Sequence, residues 1–373
     1  MSKEVWRQLA ILYAPQVRIA SNDPWNPVSA EWFLQSSELY FSTILNCDRK
    51  RFWKRDHKPL RLLVEPTANT ISEQSVNFDH QDYYSGSENK CTRFYLKLKS
   101  KEFYFGMSNE DVTEGRVPVY VHILHKENHT ELQYFFFHAF NGHIMDWFPA
   151  AGIHEGDWEH ITIRVNNKIA DILPTIPENE YVPILKENII GIFFARHGHE
   201  GRWYFEENSP LENKNDGFSF FENTAHPIVY SGKGGHASYA APGRQRRFVP
   251  RGLPLFVLDD YTNDVGVWWD CWRNVEILDN QPWLFFSGEW GDKASQYFSN
   301  DGPIGPLHKS YYNTGDPEPN KHNSVYHNKP VNPLGPHLIF WRNISLALIG
   351  LVILIIFLFT IFVVEISTKN SVK

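Results

Sequence analysis

Asp146, His154, Asp157 and Glu159 place carboxylates and an imidazole close together in one stretch, Asp146-Trp147-Phe148-Pro149-Ala150-Ala151-Gly152-Ile153-His154-Glu155-Gly156-Asp157-Trp158-Glu159-His160. Hard oxygen donors suit Mg²⁺, Ca²⁺ or Mn²⁺, whereas a set with one His and no thiolate suits structural zinc poorly. After the turn-prone Gly156 the chain alternates: Asp157, Glu159, Ile161, Ile163 and Val165 share one parity, and Trp158, His160, Thr162 and Arg164 the other. A strand here puts two carboxylates on the same face as an apolar row. Ionised carboxylates on such a face are costly unless paired, hydrogen-bonded or bound to a metal. The expectation is a divalent cation, Mg²⁺ or Ca²⁺, held by Asp146, His154, Asp157 and Glu159 at the open end of a sheet. The alternative is that Asp146 or Asp157 caps a turn and Glu159 pairs with an arginine.

Two further clusters carry candidate ligand-binding residues. In Arg196-His197-Gly198-His199-Glu200-Gly201-Arg202-Trp203, His197 and His199 share a parity and can face one cleft as ligands, acid/base groups or phosphate donors, or stand as exposed turn residues. In His226-Pro227-Ile228-Val229-Tyr230-Ser231-Gly232-Lys233-Gly234-Gly235-His236-Ala237-Ser238-Tyr239, the Gly-rich turn lacks the Walker spacing with Gly-Lys-Ser/Thr. His236, Ser238 and Tyr239 are its candidate residues. A Ser238, His236, Asp264 triad lacks the Gly-x-Ser-x-Gly elbow, so no catalytic nucleophile is assigned. The acidic run from Asp259 to Asp270 lacks EF-hand spacing and reads as turn chemistry.

The elements that must position these groups read as strands. The chain has 373 residues, 42% of them hydrophobic and 15% aromatic, with 23 Gly and 23 Pro, which suits many short strands joined by turns. Candidates are 12–19, 93–99, 117–124, 134–140, 157–165, 189–195, 203–205, 227–230 and 255–258, with a Ser-capped stretch at 29–33. The expected fold is mainly β, an antiparallel β-sandwich with irregular insertions; a helix-interleaved parallel sheet is the runner-up. A net charge of −7 and a pI near 6.2 exclude the basic footprint of a nucleic-acid binder. Cys47, Cys91 and Cys271 lack Cys-x-x-Cys spacing, which favours a reducing compartment over a disulfide framework.

Four segments are expected: a β-rich globular domain over 1–302, a Pro-rich linker over 303–343, a transmembrane helix over 344–364 and a short tail over 365–373. The segment from Ile344 to Val364 is almost wholly apolar and matches the roughly 20 residues that a bilayer core requires. Met1 to Pro15 carries charges at Lys3, Glu4 and Arg7 and no secretory hydrophobic region. Together these point to a tail-anchored, single-pass protein of the endomembrane system with its bulk in the cytosol. A luminal arrangement would instead expose the Asn128-His129-Thr130 sequon to glycosylation.

The motifs taken together resemble the vacuolar protein sorting-associated protein 62 family. They are Tyr13-Ala14-Pro15 with Val17-Arg18, Val28-x-x-Glu31-Trp32-Phe33, Asn141-Gly142, His154-x-Gly156-Asp157-Trp158-Glu159-His160, His197-x-His199-x-Gly201-x-Trp203, Val229-Tyr230-x-x-x-Gly234-Gly235-His236-Ala237-Ser238-Tyr239 and Trp283-x-x-x-x-Gly288-x-Trp290-Gly291. That family's name implies a role in delivery to the vacuole. A more distant resemblance is to the necrosis-inducing, NLP-type proteins, with the signature Gly-His-Arg-His-Asp-Trp-Glu. His154, Asp157, Trp158 and Glu159 match it, and Ile153, Glu155 and Gly156 depart. This second resemblance implies a β-sandwich in which His154, Asp157, Glu159 and the upstream Asp146 surround Mg²⁺ or Ca²⁺. The expected function is a cation-dependent recognition module for a glycan or lipid headgroup, with Trp203, Tyr239 and Trp290 as stacking surfaces. The alternative is a metal-dependent hydrolase acting on phosphoester or glycoside bonds, with His197 or His236 as base.

Overall fold

A computed structural model describes residues 3–45, 60–62, 65–71, 90–142, 153–196, 201–204, 218–246, 259–292 and 302–316. The chain forms two compact units, Met1–Pro242 with Asp260–Asn328, and Gly243–Asp259 with Lys329–Lys373. Of the second unit, residues 243–246 and 259 are described, all in strands. Everything below concerns the first. None of the described helices is long and apolar enough to cross a membrane. The apolar segment 344–364 and the strand candidate 255–258 lie outside the described residues.

Helix α1 (Lys3–Leu12) leads into β1 (Gln16–Arg18), and α2 (Ala30–Gln35) follows. Ser29 caps α2, its hydroxyl accepting from the Trp32 amide at 2.9 Å, as the Ser-capped reading of 29–33 anticipated. Strands β2 (Ser37–Leu45), β3 (Leu60–Arg61) and β4 (Lys90–Leu98) form a three-stranded antiparallel sheet. Next come β5 (Val119–His125), β6 (His129–Asn141), β7 (His154–Asn166), β8 (Ile189–Phe194) and β9 (Arg202–Tyr204). Then follow β10 (Ile228–Ser231), β11 (Ser238–Tyr239), β12 (Gly243–Arg246), β13 (Asp259–Thr262), β14 (Trp268–Asp270) and β15 (Val275–Ile277).

The central sheet has six strands in the order β15-β5-β6-β7-β8-β9. Its core pairs are antiparallel, while β15 joins β5 in parallel. A second, four-stranded sheet runs β11-β10-β1-β14, with β1 and β10 parallel. The protein is therefore mainly β with mixed sheets. The parallel pairs join strands from distant parts of the chain: β1 lies between β10 and β14 inside its sheet, and β15 is added at the edge of the central sheet beside β5.

Both faces of the central sheet are buried. On one, Leu132, Tyr134 and Phe136 of β6 and Ile161, Ile163 and Val165 of β7 pack with Trp6 and Leu9 of α1, Val17 of β1, Val229 of β10 and Trp269 of β14. On the other, Phe135, Phe137 and Ala139 of β6 and Trp158 of β7 pack with Phe33 of α2, Leu39 of β2, Leu96 and Leu98 of β4, and Trp283 and Trp290. A two-layer sandwich leaves each sheet one wet face, which this sheet lacks. That is why Tyr134-Phe135-Phe136-Phe137 reads as a near-continuous apolar run instead of alternating with polar residues. The apolar row that shares a parity with Asp157 and Glu159 does face a core, as its alternation implied.

The domain also extends past the expected boundary at 302. Residues 302–316 are described and lie on the sheet. Tyr312 is 3% exposed, and the buried Asp316 carboxylate meets His160 Nε2 at 2.9 Å and accepts from the Thr162 hydroxyl. Prolines and polar residues there signalled a linker, but the segment is fastened by long-range polar contacts that local composition does not reveal.

Candidate functional site

The site sits at one end of the β6/β7 hairpin. His138 of β6 and Asp157 of β7 are direct cross-strand partners, which places both at the end of the face lined further along by Phe136 and Ile161. Gly156, before Asp157, is a strand residue at φ 65°, not a turn preceding the strand. The reason is a close crossing: a Cβ at Gly156 would stand 1.8 Å from the Trp290 carbonyl oxygen. Only a residue without a Cβ lets the 290–292 segment cross there.

His236 reaches this end from the loop between β10 and β11. The loop is closed by the His236 amide donating to the Gly232 carbonyl at 2.8 Å and the Gly232 amide donating to the Ala237 carbonyl at 2.9 Å. His236 adopts the left-handed φ of 50°, a conformation that a non-glycine residue keeps only where its surroundings enforce it. Its side chain, wholly sealed from solvent, supplies that enforcement. Nδ1 lies 2.9 Å from Asp157 Oδ2, and Nε2 points at Asp23 Oδ2, 3.6 Å away. The ring stacks on that of His138, with centroids 3.7 Å apart and planes at 8°.

Asp23 ties a third loop to the cluster. It accepts from the Gly234 amide at 2.8 Å and from the Trp25 amide at 3.1 Å. The Trp25 carbonyl in turn faces His138 Nδ1 at 3.3 Å, and the Gly142 amide donates to the Gly234 carbonyl at 2.7 Å. Three loops, around residues 23–27, 142 and 232–237, are thus pinned to one hairpin end by two carboxylates and two imidazoles.

The electrostatics sort the two histidines. Burial pushes His236 down, but the carboxylates of Asp23 and Asp157 more than offset this and hold it above the ordinary range. Burial likewise raises Asp157, and the bond and charge of His236 overcome it, keeping the carboxylate ionised. His138 is driven well below the ordinary range, first by burial and then by the adjacent His236 charge, so it stacks as a neutral ring. His154 is lowered too, by burial. Lys309, half-buried, is depressed by burial and pulled back up by Glu159 and Asp157.

The expected metal set is not brought together by the described residues. His154 Nδ1 faces the Gly156 carbonyl at 2.7 Å, and its Nε2 faces the Asn141 side-chain amide at 2.9 Å. Asp157 Oδ2 is taken by His236. Among the described residues no three His, Cys, Asp or Glu side chains are grouped so as to hold a metal ion. Asp146 lies outside the described residues, as do His197 and His199.

The remaining described candidates lie in the interior. Ser238 and Tyr239 form β11, each 1% exposed; the Tyr239 hydroxyl donates to Asp260, and the Arg196 guanidinium lies 4.7 Å above its ring. Trp290 is fully buried and Trp203 is covered by Arg164 at 4.2 Å, so neither Trp290 nor Tyr239 offers a stacking surface to a ligand. The carboxylate partners of His236 are Asp157 and Asp23, and its sealed ring cannot serve a substrate as base. Asp23 and His138 are the members that sequence reasoning missed. Only the near-continuity of His138 with the apolar run hinted at a buried imidazole.

No family model matches the chain, and no solved structure matches it. Among curated proteins, vacuolar protein sorting-associated protein 62 of Saccharomyces cerevisiae is 26% identical over 328 residues, covering 74% of this chain and 63% of that protein. The chain is a distant relative of the vacuolar protein sorting-associated protein 62 family. A second Saccharomyces cerevisiae protein with a vacuolar sorting name, TDA6, is 25% identical over 205 residues, covering 47% of this chain and 40% of that protein. The chain thus spans less than two thirds of the length of either relative. In this relative of protein 62, the motifs built on Gly156-Asp157-Trp158 and Gly235-His236-Ala237 are two halves of one buried clamp.

Proposed function

We propose that this chain is a recognition module serving protein sorting in the endomembrane system, tethered to a membrane through the apolar segment 344–364. The carrying observation is the clamp itself: the most chemically suggestive side chain, His236, is sealed and holds three loops in a fixed arrangement at one end of the hairpin. A preorganised rim of loops costs little ordering when a ligand binds, whereas a hydrolase needs its base within reach of substrate. Two relatives named for vacuolar protein sorting support the cellular role. The apolar run and its length support the tether. The ligand class in this reading is a glycan or lipid headgroup, and the domain faces the cytosol.

Full-length protein in detergent, applied to glycan and lipid-headgroup arrays, tests the binding reading. We expect saturable binding to one class and no turnover of generic phosphoester or glycoside substrates. Turnover that His236→Ala abolishes would overturn it. Protease treatment of intact microsomes tests the tether: the large fragment should be digested, and a protected fragment glycosylated at Asn128 would refute the cytosolic placement.

A further inference from the structure

We propose that Arg18 and the half-exposed Trp268 form a binding site for the phosphate of a phospholipid headgroup, which rests on the headgroup reading above and gives it a location. Arg18 ends the motif that begins at Tyr13, and the clamp makes no use of it. In the β11-β10-β1-β14 sheet it is the direct partner of Tyr230 on one side and of Trp268 on the other. Its guanidinium carbon stands 4.3 Å from the Trp268 ring centroid and 5.7 Å from that of Tyr230, and its Nε donates to Gln16 Oε1 at 3.3 Å. Gln16 is buried and is itself held by Asp270, its Nε2 donating to Oδ1 at 2.9 Å, while Asp270 pairs with Arg273. The guanidinium is thus oriented by two rings and at Nε, and no carboxylate pairs with it among the described residues. A held guanidinium with unpaired terminal nitrogens is the donor fork that phosphate oxygens take bidentately. The other end of the row is cationic too: Tyr239 pairs with Tyr230, and Arg196, 4.7 Å above the Tyr239 ring, makes no ion pair among the described residues.

The surroundings favour a lipid over a soluble phosphate. On the tip between β13 and β14 and in the strands beside it, Val265 is 74% exposed, Trp268 42% and Tyr261 39%. The tip is fixed to β1. The Ile19 amide donates to the Val267 carbonyl at 2.9 Å, and a Cβ on Gly266 would stand 1.8 Å from the Ile19 carbonyl oxygen. The Trp268 indole is set in turn by donating to the Asp264 carbonyl at 3.2 Å. A rigid tip that presents an aliphatic side chain and amphipathic aromatics beside a cation suits the boundary between headgroups and acyl chains. The Asp264 carboxylate, exposed on the same tip, opposes an anion without pairing with Arg18, so it weakens the site and does not block it.

Calorimetric titration of full-length protein in a neutral detergent tests the site with three probes: dihexanoyl phosphatidic acid, dihexanoylglycerol and inorganic phosphate. The phosphatidic acid should bind saturably and about tenfold or more tightly than inorganic phosphate, and dihexanoylglycerol should not bind. Arg18→Gln should weaken the phosphatidic acid by about tenfold. If that variant fails to fold, Arg18→Lys, which keeps the charge and loses the fork, should show a loss in the same direction. Val265→Ser, on an exposed tip where folding is indifferent to it, should weaken the lipid and leave inorganic phosphate unchanged. Asp264→Asn should tighten both. Equal affinity for phosphatidic acid in the wild type, the Arg18 variants and Val265→Ser would overturn this site and leave the array reading standing. Equal affinity of the wild type for inorganic phosphate would overturn the lipid source, and binding of none of the three probes would overturn the site outright.

Discussion

Glu155 shows how burial alone sets a side chain's chemistry. It is 2% exposed, with Oε2 accepting from the Leu98 amide at 2.9 Å and the Asp292 amide at 3.2 Å, and Oε1 facing the Tyr104 hydroxyl at 3.1 Å. Burial raises it to about 7, against the bonds from those amides. The folded state therefore holds the proton more tightly than the unfolded chain. The resulting stability is fully present below about 4.5, the ordinary value, and is lost as pH rises through about 7. Urea unfolding at pH 5 and pH 8 should show wild type losing about 3 kcal/mol more than Glu155→Gln across that interval. Equal slopes would show that Glu155 titrates normally. None of this was visible in the sequence: by number Glu155 shares the parity of the apolar row, but it precedes Gly156, which read as a turn, so the alternation assigned it no face. The second face of its sheet is covered by β4 and the 290–292 segment, which arrive from far along the chain.

At the scale of elements, local pattern predicted most strands, and long-range contact decided what they carry. Alternation located β7, and it placed Asp157 on the core side; the apolar runs located β5, β6 and β8. Alternation could not show that the partner of Asp157 would be an imidazole from a loop between β10 and β11, itself facing a carboxylate at residue 23, because neither pairing leaves a periodic trace. Two element-level substitutions test these joints. Gly156→Ala forces the Trp290 segment away from β7 and should cost about 3 kcal/mol or more, read by denaturant melting. Asp316→Ala strips His160 and Thr162 of their buried acceptor, so it should cost about 2–4 kcal/mol and speed hydrogen exchange across 310–316. Unchanged exchange there would mean that the segment is held by its apolar contacts alone.

At the scale of the molecule, the central sheet is buried on both faces, and the motifs around Asp157 and His236 meet at one end of the β6/β7 hairpin. The chain is similar, at a distance, to two proteins named for vacuolar protein sorting, and the clamp gives the physical reason for the motif residues around Asp157 and His236. The central claim is that Asp157 and His236 act on each other. A double-mutant cycle measures it most directly: Asp157→Asn, His236→Gln and the double variant, each unfolded in urea as full-length protein. The account predicts a coupling energy of about 2 kcal/mol or more, with the double variant losing far less than the sum of the singles. Additive losses would contradict it and return both residues to separate roles.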